Sequence, residues 1–180
     1  MNMNTIRFLS ISALLVLLFS CNSGKREIAA LVKTWQGKEI ILPDTLSFKV
    51  QGRDTVCPHL SYARYKILNY IDTSGCTSCR TRFYDWNLMQ KQTDSLNLNV
   101  AYFFIAWVKE YEELEILQQI NRCTIPCLYD NTGELSRLNQ FPPYPRMQTF
   151  LLDSLNRVIL IGSPIENQKL RELYLKKIQE

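Results

Sequence analysis

Apolar positions along this 180-residue chain recur in two periods. Tyr65 to Ile71 is an apolar run broken by Lys66 and Asn69, the look of a central strand. Residues 98–107 repeat the pattern. Between them Cys79, Phe83, Trp86 and Met89 fall on one helical face, which predicts a helix over about 76–92. A second helix is predicted over 110–121, with Leu114, Leu117 and Ile120 inward, then a short strand over 125–129. Residues 130–133 read as a turn and 134–138 as one or two helical turns. The proline-rich stretch 141–145 is irregular by composition. Residues 149–152 and 157–161 are strands around a turn, and 166–178 is a closing helix with Leu170, Leu173, Tyr174 and Ile178 on one face.

Upstream, Ile28, Leu31, Val32 and Trp35 sit at i, i+3, i+4 and i+7, a short amphipathic helix that Gly37 ends. Residues 39–57 read as extended, with Leu46, Phe48 and Val50 alternating before the turn 51–54. Strands separated by helices imply parallel pairing through right-handed crossovers, and the late hairpin adds antiparallel edges. The fold class is therefore α/β: a central mixed sheet flanked by helices, with an N-terminal helix and β-hairpin extension over 27–60 and the main domain over 61–180.

Residues 1–20 read as a secretory leader: a short start with one charge, Arg7, then an apolar stretch over 8–20. That stretch is too short for a comfortable membrane span and fits a signal peptide core. It ends Leu18-Phe19-Ser20-Cys21, which resembles the lipobox of bacterial lipoproteins, although Phe19 is bulkier than the usual residue. The resemblance implies lipidation of Cys21, a tether over 21–26, and an address in the cell envelope facing the periplasm or the outer surface. Without the leader the chain carries 20 basic and 17 acidic residues, a net +3. The basic residues are dispersed, so nucleic acid is not an expected partner.

Five cysteines remain beyond Cys21: Cys57, Cys76, Cys79, Cys123 and Cys127. Thiols pair and stay paired outside the cytoplasm, and an odd number leaves at least one unpaired; Cys57 is the candidate. Cys76 and Cys79 stand at a predicted strand-to-helix junction. A helix N-terminus offers unpaired N–H groups and partial positive charge, which favour thiolate over thiol. Cys76 is then the attacking thiolate and Cys79 the resolving thiol; a permanent structural disulfide is the alternative. Asp72 could accept their proton or cap the loop. Cys123 and Cys127 bracket Pro126 and read as buried small residues or one stapling disulfide, with a second redox pair as the alternative. A four-thiolate zinc site from Cys76, Cys79, Cys123 and Cys127 has long spacing between its pairs, so neither metal nor cofactor is expected.

From Tyr65 to Ile178 the chain resembles the thioredoxin fold and, within it, the membrane-anchored thiol-disulfide oxidoreductases of the TlpA type. The residues that carry this are Gly75-Cys76-Thr77-Ser78-Cys79-Arg80, Gln148-Thr149-Phe150-Leu151-Leu152-Asp153 and Asn156-Arg157-Val158. With its lipobox and Trp35-Gln36-Gly37-Lys38-Glu39 the whole chain is similar to small thioredoxin-like lipoproteins of the Bacteroides group. The resemblance implies exchange of disulfides with exported protein thiols or a membrane redox partner, with Gly75, Arg146 and Met147 facing the substrate. Two departures stand out. The family has an aromatic residue where this chain has Gly75, and a cis-proline where it has Met147; Pro145 lies two residues too early. A cis bond at a non-proline residue costs about 2.5–4 kcal/mol, so Met147 is expected to be trans. A non-catalytic binding or scaffold module is the second functional expectation. A peroxidase built on Thr73 and Cys76 is the third.

Overall fold

The computed structural model describes residues 23–43, 47–73 and 81–180. The chain divides into two units at Trp35/Gln36. In the first, helix α1 (Ser23–Trp35) is the expected amphipathic helix, begun five residues earlier than the periodicity required. Gly37, at φ 79°, follows it.

The second unit is built on one seven-stranded sheet in the order β2-β1-β5-β4-β3-β6-β7. Its strands are β1 (Phe48–Val50), β2 (Arg53–Thr55), β3 (Tyr65–Ile71), β4 (Val100–Ala106), β5 (Cys127–Tyr129), β6 (Thr149–Asp153) and β7 (Val158–Ile161). β3, β4 and β5 are parallel, and an antiparallel hairpin lies on each side of them. All seven residues of β3 are buried, as expected of a strand with neighbours on both edges and cover on both faces. The N-terminal hairpin joins the central sheet, because β1 pairs with β5 through Phe48 and Leu128, and the second compact unit spans Gln36–Glu180. The hairpin turn is Gln51-Gly52, both at positive φ, the mirror-image turn whose twist suits a two-residue hairpin.

Helices α3 (Phe83–Ser95), α4 (Tyr111–Ile120) and α6 (Gln168–Gln179) fill the crossovers and close the chain. Phe83, Trp86 and Met89 of α3 are buried and join Ile67, Ile71, Tyr102, Phe104, Leu114 and Tyr174 in one core. In α4 the buried pair is Leu114 and Gln118; Ile120, expected inward, is 72% exposed. Gln118 is buried because it is satisfied: its Nε2 donates to the Ile125 carbonyl at 3.0 Å, and its Oε1 accepts from the Gln51 N–H at 3.0 Å. Leu173 also faces out, whereas Tyr174 and Ile178 point in. Asn167 caps α6 by accepting from the Leu170 N–H at 3.1 Å.

The opposite sheet face carries Phe48, Leu68, Tyr70, Phe103 and Phe150 by alternation. Two short helices, α2 (His59–Tyr62) and α5 (Glu134–Asn139), contribute buried Leu60 and Leu135. His59 opens α2. Segment 38–41 is fastened to α5 by Asn139, which donates to the Ile41 carbonyl at 2.9 Å and accepts from its N–H at 2.8 Å.

Candidate functional site

The three central strands run parallel, so their carboxyl ends lie together at one edge of the sheet, where ligands of open α/β sheets gather. β3 ends at Ile71, whose carbonyl accepts from the Trp107 N–H at 2.8 Å. The chain leaves the sheet through Asp72 and Thr73 and is described again from Thr81. Gly75, Cys76 and Cys79 fall on residues 74–80 and Cys21 on residues 1–22, outside the described residues. Thr81 is buried. Arg82 follows at φ 42°, so α3 starts at Phe83 rather than running unbroken through this point. The Arg82 guanidinium pairs with Asp85 at 2.8 Å, placing a carboxylate in the first turn of α3, where the helix dipole favours it.

The polypeptide that meets this strand end comes from the other side of the molecule. A 3₁₀ turn, Pro145–Met147, precedes β6. The Gln148 carbonyl accepts from the Tyr70 N–H at 2.8 Å, carrying the β3–β6 pairing one step beyond Asn69 and Thr149. Met147 therefore stands level with Ile71. Its peptide is trans, like every other described one. The Met147 side chain is buried, and its sulfur lies close to Gly162; Arg146 is exposed, and its carbonyl accepts from the Ser163 N–H at 3.0 Å. Asp72 is half-buried and accepts from the Gln148 amide nitrogen at 2.7 Å. That same nitrogen donates to the Pro142 carbonyl at 2.8 Å. Tyr70 stacks on Phe141 with ring centroids 4.1 Å apart. The structure thus brings Asp72, Arg146 and Met147 to the edge at which the cysteine-bearing segment begins.

A small cavity of about 60 Å³ opens beside these residues, lined by Asn69, Trp86, Pro145, Thr149, Ser163 and Glu166 among others. Thr149 Oγ1 donates to Asn69 Oδ1 at 2.8 Å. Trp86 Nε1 is buried without a protein partner among the described residues. This volume and these polar groups suit ordered water. Gln148, Thr149 and Trp86 were not singled out as site residues from sequence. Asn69 did leave a signal, a polar residue inside an apolar strand.

Cys57, Cys123 and Cys127 are all free thiols. Burial raises each of their pKa values, Cys123 to about 11 and Cys127 further, so the last two are inert protonated groups in the core. Among the described residues no three His, Cys, Asp or Glu side chains gather to hold a metal. No described helix is long and apolar enough to cross a membrane.

No family model matches the chain, and no curated protein does. Solved structures do match. One from Chlorobium tepidum, provisionally named a thiol:disulfide interchange protein DsbE, is 18% identical, with a TM-score of 0.59 over 79% of this chain and 97% of its own. StoA from Bacillus subtilis is 20% identical, with a TM-score of 0.53 over 78% and 99%. Peroxidoxin BcpB from Mycobacterium tuberculosis is 13% identical, with a TM-score of 0.57 over 80% and 96%. This chain has the thioredoxin-like fold, which it shares with those structures.

Proposed function

We propose that the protein is a lipid-anchored, extracytoplasmic thiol-disulfide oxidoreductase that exchanges disulfides with exported protein thiols or a membrane redox partner. The observation that carries this is topological. The segment holding Cys76 and Cys79 leaves the carboxyl edge of central strand β3 and leads into α3, and the Gln148 loop is bonded to its first residue, Asp72. In the reducing direction the Cys76 thiolate attacks one sulfur of a substrate disulfide and releases the other as thiolate. The Cys79 thiol, losing its proton, then displaces the substrate from Cys76. The protein ends as a disulfide and the substrate as two thiols, a transfer of two electrons and two protons. A second dithiol restores the pair. Direction follows reduction potential, which spans about −270 to −120 mV among such proteins.

Acceleration of insulin reduction by dithiothreitol, lost in Cys76→Ser, tests the activity. Labelling by palmitate, lost in Cys21→Ser, tests the anchor. The second reading is a non-catalytic binding module with a static disulfide. Buried Met147 favours it, because the family resemblance calls for a cis-proline there. On that reading insulin reduction is no faster than with dithiothreitol alone.

A further inference from the structure

On the sheet face away from α3, α4 and α6 lies an open cavity of about 580 Å³, within the range of small-molecule sites. Leu42, Phe48, Val56, Leu60 and Phe103 form its apolar walls. Phe48 and Phe103 meet edge to face with centroids 6.1 Å apart. Among the described residues one cation lines it: Lys66, on β3, 6% exposed. Its ammonium donates to the Ser154 carbonyl at 3.1 Å and to Asn156 Oδ1 at 2.7 Å, and both acceptors line the cavity too.

An ammonium has three N–H donors. The two neutral oxygens answer two of them and none of the charge. No carboxylate among the described residues pairs with Lys66. Asp153 acts on Lys66 through its charge but is not within ion-pair distance, and its Oδ1 accepts from the Leu155 and Arg157 N–H groups at 2.8 Å. Burying a charge without a directly paired counter-ion is costly, and desolvation lowers the Lys66 pKa, outweighing the Asp153 charge that works to raise it. A buried cation with a spare donor, beside an apolar groove, is complementary to one ligand chemistry: an anionic head on an alkyl tail.

We propose that this groove binds a medium-chain carboxylate, with its head on the Lys66 ammonium and its tail against Phe48, Leu60 and Phe103. The inference is independent of the thiol chemistry and goes beyond it. Cys57, half-buried in the same lining, is a natural reporter.

The experiment is calorimetric titration of the leader-free protein with decanoate, octanoate and 1-decanol, with Cys57 alkylation followed by mass spectrometry. Decanoate is expected to bind at least tenfold more tightly than 1-decanol. Each CH₂ added to the chain should contribute up to about fourfold. Saturating decanoate should slow Cys57 alkylation at least fivefold. Lys66→Met should weaken decanoate at least tenfold and leave 1-decanol unchanged. Val56 is 87% exposed, so Val56→Asp keeps the fold and should weaken decanoate at the groove mouth. Equal binding of acid and alcohol, undetectable decanoate binding, an unchanged Cys57 rate, or indifference to Val56→Asp overturns the proposal.

Discussion

Gln148 and Asp72 are joined by a 2.7 Å hydrogen bond across 76 residues of sequence. The amide nitrogen that makes it is spent twice, since it also holds the Pro142 carbonyl at 2.8 Å. One side chain therefore ties the loop before β6 to the exit of β3. Replacing Gln148 by Leu removes both bonds and leaves a buried carbonyl without that donor, so a loss of about 1–3 kcal/mol is expected. Gln148→Glu should be worse at neutral pH, because it sets a second carboxylate against Asp72. Urea denaturation of both variants checks the order; equal stability of wild type and Gln148→Leu contradicts it.

Gly133 and Trp107 meet at the same edge of the sheet. Gly133 has φ 68°, and a Cβ there would lie 2.9 Å from Trp107 Cε2. Gly133→Ala is strained twice, by its backbone and by the indole. A loss of about 1–3 kcal/mol is expected, with a changed Trp107 fluorescence because the ring must move. A variant with wild-type stability and an unshifted emission spectrum contradicts the contact.

Much of this architecture was legible in the chain. β3 announced itself as seven residues too apolar for any but a central strand, and it has the expected bounds. Phe83, Trp86 and Met89 marked the buried stripe of α3 correctly. The break at Arg82 left no mark, because an arginine at positive φ has no sequence signature. The pairing of β1 with β5 was invisible, since it joins residues about 80 apart by backbone bonds. Ile120 and Leu173 misled because each helix buries a narrower stripe than its apolar residues suggest. Asn69 could be seen interrupting its strand, but its partner Thr149 lies 80 residues away. Gln148 was seen only as the start of the strand motif, because a polar side chain before a strand carries no sign of what it bonds. The Cys76–Cys79 spacing was the clearest chemical signal in the sequence.

Cys123 gives a pH prediction with a definite sign. Burial raises its pKa from the ordinary 9.0 to about 11. Between those values the unfolded chain has lost the proton that the folded one keeps, so stability falls as pH rises through that window. The two units correspond to an upper bound of about 2–3 kcal/mol. Cys123→Ala should remove this component and flatten the decline relative to wild type, whatever packing it costs at neutral pH. Urea midpoints for both proteins at pH 7, 9, 10 and 11 test this. Parallel declines contradict the assigned burial.

The proposed chemistry requires Cys76 to capture a substrate sulfur and Cys79 to release it. In Cys79→Ala the release step is gone, so a mixed disulfide with a reduced-and-reoxidised protein substrate should accumulate on non-reducing gels. It should disappear with dithiothreitol and be absent from the Cys76→Ser/Cys79→Ala double variant. If Cys79→Ala forms no adduct while the wild-type protein still reduces insulin, the central claim is contradicted.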